Sequence, residues 1–175
     1  MTEPIDTHAN GADPVLSGLP VTWDRQGLVR AGFTGFVPLT TLTTAETPAG
    51  PGVYVIVRTS TDAPGLLAER PVTTAKQSPA YPLAVLTSLW VDGAEVIYIG
   101  KATSLRTRLS QYRRAGVGGT NHNGGRSIWQ LTESATLLVA WRELSADDVP
   151  RVVESQLIAA FTAHHGARPF ANRTC

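Results

Sequence analysis

A single cysteine, Cys175 at the last position, is all the thiol this chain has, which excludes an internal disulfide and a cysteine-ligated zinc centre. No run approaches the roughly 18 apolar residues of a membrane span, and the opening MTEPIDTHANGADP lacks the basic flank and apolar core of a secretion signal. A cytoplasmic protein without a membrane anchor is therefore expected. Charge is scarce and balanced, with 15 Lys and Arg against 14 Asp and Glu for a formal net charge of +1. Overall basicity cannot carry binding to nucleic acid, so any anion-binding surface has to come from local clustering. His164 and His165 are neighbours, diverge by about 100° on a helix and make no i, i+4 metal pair.

What is present suits one domain. The chain has 175 residues and is 42% hydrophobic, enough for one core and too little for two. Residues 1–20 are polar and aperiodic and read as a flexible tail, leaving residues 21–175 as the domain. The stretch from Glu95 to Gly116 organises the rest. Alternation in Glu95 to Ile99 predicts a strand with Val96 and Tyr98 on one face and Ile97 and Ile99 on the other. Gly100 is expected to reverse the chain, Thr103 or Ser104 to cap a helix, and Gly116 to close it with Arg113 and Arg114 in the last turn. On that helix Leu105, Leu109 and Tyr112 form an apolar stripe with Arg108 beside it, while Arg106, Arg113 and Arg114 point away. Tyr98, Lys101, Arg108 and Tyr112 are thus expected to converge.

Around this unit, Trp23 to Ala31 reads as a short helix ended by Gly32, with Phe33, Phe36, Val37 and Leu39 adding apolar contacts. Gly52 to Arg58 is a strand with Tyr54, Ile56 and Arg58 on one face. Residues 59–93 read as an insertion, with Leu83 to Val91 a candidate strand and Asp92-Gly93 a hairpin turn. The glycine-rich loop after Gly116 carries His122 and Arg126, which could approach a phosphodiester backbone. A short helix near Ser127 to Leu131 leads to a strand, Thr136 to Leu144, with Leu137, Val139 and Trp141 on one face. The last helix is expected from Ser145 to Gly166, with Asp147 and Asp148 in its first turn and Val149, Val152, Val153, Leu157, Ile158 and Phe161 as its apolar arc. Glu154 falls at the rim of that arc. A carboxylate there has to meet a cation, either an arginine such as Arg108 or a metal ion.

These elements make an α/β (α+β) fold with a small three-stranded, mainly antiparallel sheet flanked by helices. Gly52-Val53-Tyr54, Tyr98-Ile99-Gly100, Lys101-Ala102, Arg108, Tyr112, Glu154 and Asn172 together resemble the GIY-YIG nuclease family. The run YIGKATSLRTRLSQY is especially similar to the nuclease domain of the family's excision-repair members. The departure is the insertion of about residues 59–93 between the two signatures, which the family usually joins by a short hairpin and which some of its restriction endonucleases carry. The resemblance implies a metal-dependent endonuclease hydrolysing DNA phosphodiester bonds, of restriction or defence type. The alternatives are a non-catalytic nucleic-acid-binding module and a DNA-repair nuclease. By the same resemblance Glu154 would bind Mg²⁺ or Mn²⁺, and Tyr54 or Tyr98 would orient or deprotonate the attacking water, helped by Lys101 and Arg108. Arg108 would hold the scissile phosphate, Tyr112 would support it, and Asn172 would fix the end of the metal-bearing helix or contact phosphate. The implied partner is DNA, met by one chain or by a homodimer. Its backbone would run over Arg106, Arg113 and Arg114, or over the loop with His122 and Arg126.

Overall fold

A computed structural model describes residues 18–43, 45–70, 79–116 and 126–172. The element order is α1 (Arg25–Arg30), β1 (Thr34–Pro38), β2 (Gly52–Val57), α2 (Leu83–Ser88), β3 (Val96–Ala102), α3 (Leu105–Gly116), two 3₁₀ turns (Arg126–Gln130 and Ser134–Thr136), β4 (Leu138–Glu143) and α4 (Pro150–His165). The strands form one antiparallel sheet in the order β1-β4-β2-β3. The sheet has four strands, not the expected three. Asp24 caps α1 by accepting from the Gly27 amide at 2.7 Å, which satisfies one of the amides that the first helical turn leaves without a partner. Among the described residues no helix is long and apolar enough to cross a membrane. Residues 1–17 of the expected tail and the glycine-rich loop with His122 lie outside the described residues.

The extra strand, β1, is the segment of apolar contacts after α1. It pairs with β4, and its register slips between Gly35 and Val37. At that bulge Phe36 takes φ 55°, so Phe36 and Val37 turn to opposite sides of the sheet and both bury apolar surface.

Strand β2 is the centre of the core, with all six residues buried. Gly52, Tyr54 and Ile56 face a cluster built with α3, which contributes Leu105, Leu109 and Tyr112. Val53, Val55 and Val57 face a second cluster completed by α1 and by Val153, Leu157 and Phe161 of α4. The sheet is therefore covered on both faces, and a continuous apolar run such as VYVIV is what such a strand needs.

Strand β3 departs from simple alternation. A register shift between Ile56 and Val57 of its partner inserts one extra residue, so Ile97 and Tyr98 both enter the α3 cluster while Val96 and Ile99 enter the other. Gly100 does not reverse the chain. It pairs with Tyr54 inside the ladder, and the strand continues through Ala102. The turn comes at Thr103 and Ser104, where the Ser104 hydroxyl accepts from the Thr107 amide at 3.3 Å.

The insertion is tied to the domain by a buried amide. Gln130, 1% exposed, accepts from the Tyr81 amide at 2.8 Å and donates to the carbonyls of Tyr81 and Leu67 at 2.9 and 3.0 Å. Leu83 to Val91, expected as a strand, instead starts as helix α2, which buries Leu86. Asp92-Gly93 does turn, with Gly93 at φ 72°, but it follows a helix and makes no hairpin. Beside it the buried Arg58 pairs with Glu133 and stacks on Trp90 at 4.8 Å, which neutralises a charge that would be costly alone.

Helix α4 begins at Pro150, not Ser145. Ser145 and Asp148 close a separate turn, with the Ser145 amide donating to the Asp148 carboxylate at 3.0 Å. Proline at the first helical position is favoured because its missing N–H would have had no partner there. Val149 is the residue before the helix and Val152 lies off the buried stripe of Val153, Leu157 and Phe161, so both are exposed, 57% and 51%, against the expected apolar arc. Gly166 ends the helix with φ 76°, as expected.

Candidate active site

Three tyrosines meet on the α3 side of the sheet. Tyr54 from β2, Tyr98 from β3 and Tyr112 from α3 have ring centroids 5.8 to 6.1 Å apart, within the range of favourable aromatic pairs. The gap that admits the Tyr54 ring is the missing side chain of Gly100. Tyr54 and Tyr112 are 1% exposed and Tyr98 is 8% exposed, so Tyr98 alone keeps a small opening outward.

Burial raises the pKa of all three. For Tyr54 and Tyr112 desolvation pushes it well above 10.0, their ring neighbours add to this, and the Arg108 guanidinium pulls the other way. For Tyr98 desolvation again dominates, a hydrogen bond from Tyr54 pulls down, Glu154 pushes up and Arg108 pulls down. Arg108 acts in the expected direction, burial outweighs it, and Lys101 is not among the causes.

Alkali should therefore weaken the fold. A phenol whose folded pKa lies above its unfolded value contributes stability that is whole below the unfolded pKa of 10.0 and is lost as pH rises through the folded value. Melting temperature is expected to fall above about pH 10. Tyrosinate absorbance should show Tyr54 and Tyr112 ionising only as the chain unfolds. A smooth titration of all four tyrosines with native circular dichroism would refute this burial.

On the other side of β3 stands a carboxylate. Glu154 on α4 is 15% exposed in its side chain, and Lys101 Nζ donates to its Oε2. The cation that meets Glu154 is thus Lys101, not Arg108. The bulge and register of β3 explain it, because Lys101 pairs with Val53 and so projects to the α4 side, while Tyr98 and Gly100 face α3. Glu154 still acts on Tyr98 across this edge strand, pushing its pKa up.

In the free chain Asn172 is held by a strand edge, not by a helix end. Its side-chain amide accepts from the Ile99 N–H at 2.8 Å and donates to the Ile99 carbonyl at 2.7 Å, while the Ala171 N–H donates to the Ile97 carbonyl at 2.8 Å. Residues 171–172 so cover the open edge of β3, which would otherwise expose unpaired backbone groups. The strand that carries Tyr98 and Lys101 is held on both sides.

A cleft of about 620 Å³ opens beside this edge, lined by Lys101, Thr107, Arg108 and Gln111 and by the start of α4 at Val149 to Arg151. Among the described residues three cations line it and no carboxylate does. Arg151, Thr107 and Gln111 carry no signal in the sequence. In a helix running from Ser145, Arg151 is an interior surface residue, whereas the start at Pro150 places it at the cleft.

The remaining basic residues are distributed differently. Arg106 donates Nε to the Thr47 carbonyl at 3.0 Å, Arg114 donates to the Ser110 carbonyl at 3.3 Å, and Arg113 is half-buried near Leu42 and Thr43. Arg126 opens the first 3₁₀ turn, and its side chain lies outside the described residues. His164 is exposed. His165 packs on Phe161 at 4.3 Å at the far end of α4, where burial lowers its pKa and His164 adds to that.

Among the described residues no group of three or more His, Cys, Asp and Glu could cage a metal. The available donor is one half-buried carboxylate, Glu154. That donor set fits a hard dication such as Mg²⁺, which commonly takes one or two carboxylates and fills its shell with water and phosphate. Comparison with known protein families, with curated proteins and with solved structures found no match.

Proposed function

We propose that the chain is a metal-dependent endonuclease of the GIY-YIG type, acting on DNA phosphodiester bonds in restriction or defence. The observation that supports this most is that Arg108 and Glu154 both act on Tyr98 across one strand edge, while Arg108 and Lys101, the partner of Glu154, line a cationic cleft. Hydrolysis of a phosphodiester needs a placed water, cations for the charge that develops on the phosphoryl oxygens, and a proton path. The motif residues supply these.

Arg108 is the phosphate-holding residue, since its planar fork suits two oxygens at once. Tyr98 is preferred to Tyr54 as the residue that touches water, because Tyr54 is closed off from solvent. In the free chain Tyr98 keeps its proton, so it starts as a hydrogen-bond donor. Tyr54 donates to it and fixes the orientation of its oxygen. Tyr112 backs both rings. Glu154 would hold Mg²⁺ or Mn²⁺, which when bound supplies Lewis-acid neutralisation of the phosphate charge. Lys101, now on Glu154, is then available to the anion.

The experiment is incubation of supercoiled plasmid with the purified chain in Mg²⁺, in Mn²⁺ and in chelator. Nicked or linear product is expected with metal and none with chelator. DNA binding without product under any condition would replace this reading by that of a non-catalytic binding module.

A further inference from the structure

We propose that Arg151 seats a second backbone phosphate of the nucleic acid, next to the one held by Arg108, so that the strand lies in the cleft between α3 and α4. The inference rests on the nuclease reading above and adds a residue that no motif marks. Three observations carry it.

The first is position. Arg151, Lys101 and Arg108 line one cleft of about 620 Å³ with no acidic side chain among its described lining residues, a size within the roughly 300–1,000 Å³ of small-ligand sites. Thr107 and Gln111 add uncharged hydrogen-bonding groups to its wall. The chemistry of that lining selects an anion carried on a polar, partly apolar body, which describes a nucleotide unit.

The second is local electrostatics. Arg151 occupies the first turn of α4, which has no acidic residue. A cation there opposes the positive end of the helix dipole, so Arg151 does nothing for the helix. Arg151 is exposed, and its guanidinium makes no hydrogen bond or ion pair among the described residues. An arginine placed against its own helix and spared any internal partner is explained by an external anion, which would satisfy helix and side chain together.

The third is the competing surface. On the outer face of α3, Arg106 is tied to Thr47 and Arg114 to Ser110, and Arg113 is half-buried. Arg106 and Arg114 are exposed, but each already gives a donor to a backbone carbonyl of its own chain. The cleft is the better path for a phosphate backbone.

The test is a salt titration of affinity for duplex DNA in chelator, for wild type, Arg151→Gln, Arg113→Ala/Arg114→Ala, and Arg30→Gln on α1 as a charge-matched control. Loss of one phosphate contact should flatten the slope of log affinity against log salt by about 0.9 in Arg151→Gln, and Arg30→Gln should keep the wild-type slope. Arg151→Gln should also melt at or slightly above wild type, whereas an arginine that held the fold would lower it. A wild-type slope in Arg151→Gln, or a drop confined to the Arg113/Arg114 pair, overturns the proposal and leaves the nuclease reading standing. A wild-type chain that neither binds duplex nor cuts plasmid overturns both, and the failure then lies with the nuclease reading.

Discussion

Glu154→Gln is expected to abolish plasmid cleavage while leaving the chain folded. The substitution keeps shape and removes charge, so the proposed ion loses the carboxylate that, among the described residues, is placed to hold it. Loss of one preorganised electrostatic contact commonly costs a factor on the order of 10² to 10³ in kcat, and here the ion itself is at stake. Folding should survive for a separate reason. Lys101 is 41% exposed in its side chain, and its ammonium can turn to water when its partner is neutralised. A partly exposed pair of this kind is worth about 1 kcal/mol or less. The measurement is single-turnover cleavage at matched Mg²⁺ for wild type and Glu154→Gln, with Mn²⁺ binding followed in parallel. Wild-type rates in the variant would remove Glu154 from the chemistry, and unchanged Mn²⁺ affinity would remove it as the ligand.

The parts of the fold that are legible in the chain alone are those where periodicity and burial agree. The stripe of Leu105, Leu109 and Tyr112 is buried as expected, and so is that of Leu137, Val139 and Trp141. Both are regular elements with one partner face. The differences sit where a backbone irregularity resets the phase. In β1 the bulge at Gly35 and Phe36 hides a strand, and in β3 the bulge at Ile97 moves Tyr98 to the face opposite Val96. Nothing in the order of side chains announces an added residue, because a bulge is fixed by the partner strand. At α4 two start signals compete, Ser145 with its acidic follow-up and Pro150. The acidic segment forms a turn of its own, and proline marks the helix.

The candidate site shows the same division. Arg108 and Tyr112 follow from helix geometry alone, and Arg108 does act on the tyrosines. Pairing Lys101 with Glu154 needs the register of β3 against β2, which is a long-range property. For Asn172 resemblance points to a helix end or a phosphate, whereas its amide closes the edge of β3. That role depends on where the chain returns after Gly166, which no local pattern specifies.

Gly100→Ala should cause a clear loss of stability, because the added methyl would fall inside the tyrosine cluster. A Cβ at this position would lie 2.6 Å from Tyr54 Cζ, 2.7 Å from its Oη and 2.8 Å from Tyr98 Cε1, all closer than real Cβ atoms come. Neither ring can yield. Tyr54 is 1% exposed and sits between Tyr98 and Tyr112, so the strand itself would have to move, in a ladder held by β2 on one side and Asn172 on the other. Overpacking of this kind costs about 1–3 kcal/mol and occasionally more, set against a gain of roughly 0.5–1 kcal/mol from replacing a strand glycine by alanine. Net destabilisation is expected because three contacts are violated together. Gly93→Ala separates the steric cause from backbone strain, since its Cβ would meet nothing within 4 Å but its φ is +72°. Shrinking the ring should relieve the clash, so Gly100→Ala/Tyr54→Leu should lose less than the sum of its single variants in a denaturant cycle. If Gly100→Ala unfolds at the wild-type denaturant midpoint, or the double variant loses the full sum, the glycine is not what admits the tyrosine cluster.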